Sequence, residues 1–105
     1  MTDLIEVATS DGETLEGEVA RAEGRVRATC VLCHPHPQFG GSMRSLVISE
    51  LFHALPPAGI TVLRFNFRGV EASTGAWTAG RGERADVVAA VEAGAALEPD
   101  RKAVP

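Results

Sequence analysis

Two thiols and two imidazoles lie close together in the stretch "CVLCHPHPQFGG", which covers residues 30–41. The stretch contains C-x-x-C-H, the spacing that is typical of covalent haem attachment. Its two cysteines and two histidines would also suffice as ligands for a zinc ion. A third interpretation is a buried strand that leads into an active-site loop. The secondary structure that positions these side chains decides between the three interpretations.

Haem attachment and redox chemistry both need the cysteines on helical backbone. In C-x-x-C-H a helical turn lets both thiols and the histidine face one porphyrin, and a thioredoxin-like C-x-x-C begins a helix. Cys30 and Cys33 instead lie in an almost continuous apolar run, and Pro35 disfavours helical backbone at His34. We therefore expect neither chemistry.

A zinc site is also a poor fit to this spacing. Side chains alternate across a strand, so Cys30 and Cys33 should point to opposite faces. Besides His34 and His36, only His53 remains as a further imidazole. We expect both thiols to be buried, reduced and free of metal, because cysteine packs well as a small hydrophobe. A metal or redox protein built on C-x-x-C-H-P-H stays open as an alternative.

The composition indicates one small globular domain. The chain has 105 residues, of which 45% are hydrophobic, so it can build a core. Ten basic and fourteen acidic residues give a net charge of −4, and no dense basic cluster suggests a nucleic acid partner. The segment "MTDLIEVATSDGETLEGEVA" carries acids throughout and no long apolar run. We therefore expect no signal peptide, no membrane partner and a cytoplasmic location.

Hydrophobic periodicity predicts the order β-β-β-α-β-α. "DLIEVATSDG" and "ETLEGEVARAEG" predict a hairpin, "RVRATCVLC" a strand covered on both faces, and "ITVLRFNF" a further strand. One helix should begin at Ser42 as its N-cap, and "ERADVVAAVEAGAAL" predicts another. This order favours an α/β fold with a mostly parallel sheet behind a leading hairpin. The predicted apolar faces are Met43, Leu46, Val47, Leu51 and Leu55 on the first helix, and Val87, Val88, Val91 and Leu97 on the second.

The loop "HPHPQFGG" lies between a buried strand and a helix. In an open α/β sheet, ligands bind beyond the carboxyl ends of the parallel strands, where this loop should lie. Pro35 and Pro37 stiffen the loop and lack an N–H group. Free amides near a helix N-terminus suit an oxyanion. The free donors are the amides of His36, Gln38, Phe39, Gly40 and Gly41.

Three blocks of sequence resemble one known superfamily. "CHPHPQFGGSM", "LRFNFRGVEASTG" and "GRGERADVVAAV", which lie in order between Cys30 and Leu97, resemble the α/β-hydrolases, and most closely their small cytoplasmic branch similar to dienelactone hydrolases. The resemblance implies an acyl substrate, no cofactor, and an oxyanion-hole amide after the third strand. It maps that amide to His36, with Gln38 and Phe39 as the other candidates. Glu71 departs from the pattern, which usually has Gly there.

The catalytic residues of such a hydrolase are missing from the sequence. The near-match "EASTG" has Glu71 where the nucleophile elbow needs a small residue two positions before Ser73. The family order is Ser, then Asp or Glu, then His, whereas all three histidines precede Ser73.

We therefore expect residues 1–105 to form a single incomplete α/β-hydrolase domain, truncated before the nucleophile strand. It would be the N-terminal fragment of a cytoplasmic serine hydrolase acting on carboxylic esters or related acyl bonds, with the oxyanion-hole loop but no triad, and inactive alone. A non-catalytic binding module or scaffold is the alternative.

The remaining candidates have structural interpretations. We expect His53 on the polar face of its helix, and Glu83 and Asp86 to suit a helix N-terminus. Asn66 and Arg68 end a strand, where either could bond loop carbonyls, and a substrate role is the less favoured alternative. Trp77 either lines a pocket or covers the core. By the resemblance, "ATCVLC" is a central strand whose partner on one side is missing. An exposed apolar edge of this kind favours self-association.

Overall fold

The computed structural model describes residues 2–34, 36, 40–98 and 103–104, and the elements alternate as an α/β fold requires. The strands are β1 (Thr2–Ala8), β2 (Thr14–Ala20), β3 (Ala28–Leu32), β4 (Ile60–Phe65) and β5 (Ala103–Val104). The helices are α1 (Leu46–Ala54) and α2 (Glu83–Leu97), and a 3-10 turn (Pro56–Ala58) links α1 to β4. The predicted order β-β-β-α-β-α is confirmed, with β5 following it.

The five strands form one mixed sheet in the order β1-β2-β4-β3-β5. β1 and β2 pair as the predicted antiparallel hairpin, and β2 runs antiparallel to β4. β3 and β4 pair in parallel from Ala28–Ile60 to Leu32–Arg64, with α1 as the crossover between them. The carboxyl ends of β3 and β4 therefore lie side by side at one edge of the sheet.

The two helices cover opposite faces of the sheet, which explains the unbroken apolar runs of β3 and β4. α2 packs on a core that includes Val31, Leu63 and Phe65. α1 packs on a second core that includes Leu32 and Val62. Because neighbouring strand residues point to opposite faces, each of these strands needs apolar side chains at successive positions.

The start and the buried face of α1 differ from the prediction. Ser45, not Ser42, is the N-cap, because Ser42 belongs to a preceding turn in which its carbonyl accepts from the Ser45 amide. Ile48 and Phe52 are the buried side chains of α1. Leu46 and Val47 of the predicted face are 75% and 66% exposed. The pairs Val47/Leu51 and Ile48/Phe52 both have the i, i+4 spacing of one helix face, and the second pair is the one that packs on the sheet.

Small residues form the buried face of α2. The helix buries Ala89, Ala90 and Gly94, whereas Val88 of the predicted apolar face is 57% exposed. Val87 and Leu97 pack only partly against the core. Alanine and glycine let the helix backbone approach the sheet closely, so the valines move to its flanks.

The predicted open edge of β3 is partly covered. β5 runs parallel to β3 and pairs Ala103 with Thr29 and Val104 with Cys30. The expectation that this whole side of β3 is unpaired is therefore wrong over these residues. Within the described part of the chain, the pairing stops before Val31.

The hairpin offers a test of the core. Leu15 is fully buried in the α2-side core, and Leu4 on the neighbouring strand is 74% exposed. We expect Leu15→Ala to lower the free energy of unfolding by about 2–5 kcal/mol, because it leaves a cavity. Leu4→Ala should change it by no more than about 0.5 kcal/mol. Urea titration followed by circular dichroism measures both, and equal losses would contradict the placement of this core.

Candidate functional site

Two loops meet where β3 and β4 end. One covers residues 33–45 and contains the "HPHPQFGG" stretch, and the other covers residues 66–82 before α2. The parallel pairing of Leu32 with Arg64 brings their first residues together. This is the edge of an α/β sheet at which ligands bind.

A cleft of about 460 Å³ opens between these loops. Its lining combines two imidazoles, two aromatic side chains and one carboxylate. The lining residues are His34, His36, Phe67, Trp77, Ala79, Gly80 and Glu83. Trp77, whose role the sequence left open, lines this cleft and remains 37% exposed. The cleft therefore has apolar walls and a few polar groups, as small-molecule sites do.

His34 is a buried part of the loop base. Its Nε2 accepts a hydrogen bond of 3.1 Å from the Phe67 amide, and its ring meets the Phe67 ring edge-on at 4.9 Å. The side chain is only 7% exposed. A ring held in this way ties the start of one loop to the start of the other.

His36 is the one oxyanion candidate among the described residues. Its side chain is exposed, and its ring lies 5.3 Å from that of Trp77. Its carbonyl accepts from the Gly41 amide at 3.3 Å. Gln38 and Phe39, the other two candidates, lie outside the described residues. Their assignment stays a prediction.

A buried polar network supports the far end of the same loop. Asn66 is fully buried, and its Oδ1 accepts from the Met43 amide at 2.8 Å. The Met43 carbonyl accepts from Arg64 at 3.1 Å. The expected contact of Asn66 with the loop is thus present, but to a loop amide and not to a carbonyl. The sequence interpretation missed Glu16 and Arg64; the alternation of "TLEGEVA" was the available signal for the former.

Glu71 takes over the backbone conformation that glycine would adopt. Its φ angle of 47° lies in the left-handed region, which glycine enters without strain. Its carboxylate accepts from Arg44 at 2.6 Å and from the Asn66 amide group at 3.2 Å. These two bonds hold the side chain toward the loop base and compensate the strained backbone.

Arg68 forms a second buried network, with Asp86 and Asp11. Its guanidinium donates to Asp86 at 2.8 and 3.0 Å, and its amide donates to the same carboxylate at 2.9 Å. The hydrogen bonds that its guanidinium donates to Asp86, and then to Asp11, raise the pKa of Arg68. Gly82 leaves room for the guanidinium, since a Cβ there would collide with it. The expectation that Arg68 bonds carbonyls is wrong, because the buried Asp86 carboxylate demands a charged partner.

Glu83 is the first residue of α2, as expected, and its carboxylate holds the loop that precedes the helix. It accepts from the Thr78 hydroxyl and amide and from the Gly80 amide. Burial opposes the ionised form, but the bonds from Thr78 and Gly80 outweigh it and lower the pKa of Glu83. Asp86 lies in the first turn of α2 as well, and its carboxylate pairs with Arg68. His53 is exposed on α1, where its Nδ1 lies 2.7 Å from the Ser49 carbonyl.

Comparison with known proteins adds an independent line of evidence. The sequence matches no protein-family model. It is 39% identical over 84 residues to an uncharacterized protein of Rickettsia prowazekii, a match that spans 80% of this chain and 33% of that protein. A solved α/β serine hydrolase homologue from Coxiella burnetii is 32% identical with a TM-score of 0.86, over 96% of this chain and 49% of its own. An α/β serine hydrolase without a lid from Xanthomonas campestris is 34% identical with a TM-score of 0.84, over 97% and 48%.

The chain has the fold of the N-terminal part of an α/β-hydrolase. The fold expected from the three sequence blocks is therefore confirmed. The chain spans less than half the length of these two hydrolases and a third of the Rickettsia protein.

Ser73 does not occupy a nucleophile elbow of the hydrolase fold. It is 7% exposed, its hydroxyl donates to the Asn66 carbonyl at 2.7 Å, and it accepts from the Glu16 amide at 2.8 Å. An elbow serine instead stands at a strand-to-helix turn with a free hydroxyl. Ser73 therefore ties the β4–α2 loop to β2.

The cysteines are less buried than predicted. Cys30 is half-buried and Cys33 is exposed, because β3 ends at Leu32 and Cys33 already belongs to the loop. Burial raises the pKa of the Cys30 thiol, and partial burial followed by the nearby Cys30 raises that of Cys33. Thiols with raised pKa values are poor nucleophiles at neutral pH.

The described residues offer neither a metal site nor a helix that could span a membrane. No group of three His, Cys, Asp or Glu side chains there is placed to hold a metal ion. Neither of the described helices has the length and apolar character needed to cross a bilayer.

The ion pair of Arg68 with Asp11 makes the free energy of unfolding depend on pH in the acid range. The hydrogen bond from Arg68 lowers the pKa of Asp11 from 3.8 to about 2. A depressed carboxyl pKa contributes stability that is complete above pH 3.8 and is lost as the pH falls toward 2. We expect Asp11→Asn to make urea midpoints fall less steeply between these two pH values than in the wild type. High salt should shrink the difference, because Asp11 is exposed. Parallel pH profiles of both proteins would contradict this role.

Proposed function

We propose that this chain is the N-terminal half of a cytoplasmic serine hydrolase of the dienelactone hydrolase-like branch. The substrate class is carboxylic esters or related acyl bonds. One observation carries the proposal: over nearly all its length, the chain is 32–34% identical to an α/β serine hydrolase and to a homologue of such enzymes. The cleft at the loop after β3 supports it. No cofactor, nucleic acid or membrane has a part in this function.

The loop after β3 supplies an oxyanion-hole donor. When a serine attacks an acyl carbon, the carbonyl oxygen becomes an oxyanion that fixed N–H groups stabilise. The candidates are the amides of His36, Gln38 and Phe39. One such donor typically contributes about 10²–10³ in kcat. Phe67 and Trp77 offer apolar walls on which an acyl group can pack.

The nucleophile, acid and base come from sequence outside residues 1–105. The hydroxyl of Ser73 is engaged with Asn66. His34 is engaged with Phe67, and no histidine follows Ser73. The chain therefore binds and polarises the acyl group but does not attack it.

The isolated chain should show no esterase activity. We expect p-nitrophenyl ester hydrolysis at the rate of buffer alone, and no covalent labelling by a fluorophosphonate. Ser73→Ala is the matched control and should change neither result. If the wild type hydrolyses the ester and Ser73→Ala does not, Ser73 is a nucleophile, and the proposal that the nucleophile lies outside residues 1–105 is wrong.

A chimera tests the positive side of the same proposal. The chain would be joined, after β5, to the part of the Xanthomonas campestris hydrolase that follows its matched half. We expect this chimera to hydrolyse p-nitrophenyl esters. A chimera that melts cooperatively but is inactive would instead favour a binding module or scaffold.

We also propose that the chain associates with a second copy near the edge formed by β3 and β5. β5 covers only Thr29 and Cys30 of β3 within the described residues, and unpaired strand edges favour pairing with another chain. Beside α2, Phe67, Val87 and Val88 line an apolar groove of about 530 Å³. Apolar surface buried between copies contributes about 25 cal/mol per Å².

Sedimentation velocity tests this association. We expect the wild type to sediment as a dimer or larger species with a concentration-dependent coefficient. Val88→Lys should shift it toward the monomer, because a charge in the groove opposes burial. Val47→Lys, at a similarly exposed valine on the opposite face, should not. A clean wild-type monomer, or equal effects of both variants, would contradict the proposal.

A further inference from the structure

Both ends of the loop after β3 are held by the end of β4. At the start of the loop, the His34 ring accepts the Phe67 amide at 3.1 Å. At its far end, the Asn66 side chain accepts the Met43 amide at 2.8 Å. Residues 66 and 67 directly follow β4, so one short segment fixes both ends of the loop that carries the oxyanion candidates.

Met43 is clamped through both of its backbone groups. The amide donates to Asn66, and the carbonyl accepts from Arg64 at 3.1 Å. Its side chain is fully buried. Arg64 and Asn66 are two residues apart, so they reach the same side of the strand. A residue held at its amide, its carbonyl and its side chain gives the loop a fixed end.

The amide group of Asn66 has only one orientation that satisfies its neighbours. Its Nδ2 donates to Glu16 at 2.7 Å and to Glu71 at 3.2 Å. Ionised carboxylates only accept hydrogen bonds, so the Nδ2 side must face them and the Oδ1 side must face Met43. Arg64 is fixed similarly, by Glu18 at 2.6 Å and by the Phe52 ring at 4.0 Å.

We propose that Asn66 is a positioning residue for the oxyanion-hole loop, acting through Met43. The inference rests on the proposed function, because it assigns a role to that loop. Asparagine suits the position because it both accepts from Met43 and donates to two carboxylates. Aspartate keeps the shape but places a third carboxylate against Glu16 and Glu71, and leucine keeps the volume but leaves the Met43 amide unpaired.

Nuclear magnetic resonance of the whole chain tests the contact without any substrate. In the wild type we expect a scalar coupling across the hydrogen bond between the Met43 amide nitrogen and the Asn66 side-chain carbonyl carbon. In Asn66→Leu we expect hydrogen exchange at the Met43 amide to accelerate about tenfold or more, since the acceptor of a buried bond is removed. The amide of Val7 in the β1–β2 hairpin should keep its rate.

Two further variants separate positioning from general destabilisation. Ser73→Ala removes the bond that the Ser73 hydroxyl donates to the Asn66 backbone carbonyl, and it should leave Met43 exchange unchanged. Asn66→Asp keeps an acceptor for the Met43 amide. Combined with Glu16→Gln, which places a donor next to the new carboxylate, it should retain more of the Met43 protection than Asn66→Leu. In the active chimera, Asn66→Leu should lower kcat with little change in KM, and Ser73→Ala should change neither.

The outcomes separate the two proposals. Absence of the cross-bond coupling, unchanged Met43 exchange in Asn66→Leu, or equal acceleration in Ser73→Ala would overturn the positioning role of Asn66. If Asn66→Leu does not fold, the wild-type coupling alone decides whether the contact exists. A folded but inactive chimera would overturn the proposed function, and the exchange data would still decide what Asn66 holds.

Discussion

The parallel pairing of β3 with β4 is the constraint on which the site depends. It sets Leu32 beside Arg64, so that both loops leave the sheet at one edge. Parallel strands require a crossover, which α1 supplies, and burial of both sheet faces follows from the helices on either side. Without this register, His34 would not reach the Phe67 amide, and the two residues would not line one cleft.

Buried charge is the second constraint, and it comes from β4 and from the loop that follows it. Arg64 and Arg68 are 7% and 5% exposed, so each must recover the cost of leaving water, which is several kcal/mol per ion. Arg64 does so through Glu18 and Arg68 through Asp86. An apolar pair could fill the same space, but it could not bond the Met43 carbonyl or the β4–α2 loop. We infer that these ion pairs specify loop geometry more than they stabilise the fold.

The sequence predicted the elements well and the environments of side chains less well. The hairpin, the apolar strands and the two helices follow from periodicity, which is a local property. The start of α1 was missed because Ser42 and Ser45 are equally good caps by composition. Its buried face was missed because Val47/Leu51 and Ile48/Phe52 are both apolar pairs at helical spacing, and only packing on the sheet selects the second. The pairing of Arg68 with Asp86 depends on residues 18 positions apart that only the fold brings together. Cys33 was misplaced because the end of β3 has no turn signal in "CVLCH".

The position of Glu16 and Glu18 has a consequence for how the chain folds. Both lie in the first twenty residues, yet their partners Asn66 and Arg64 lie 50 and 46 positions further along. Ser73 closes on Glu16 across 57 positions. Contacts of such separation require large loops to close first, and this slows folding. We expect the β1–β2 hairpin to form early and its pairing with β4 to form later. The loop after β3 should therefore acquire its final shape among the last events of folding.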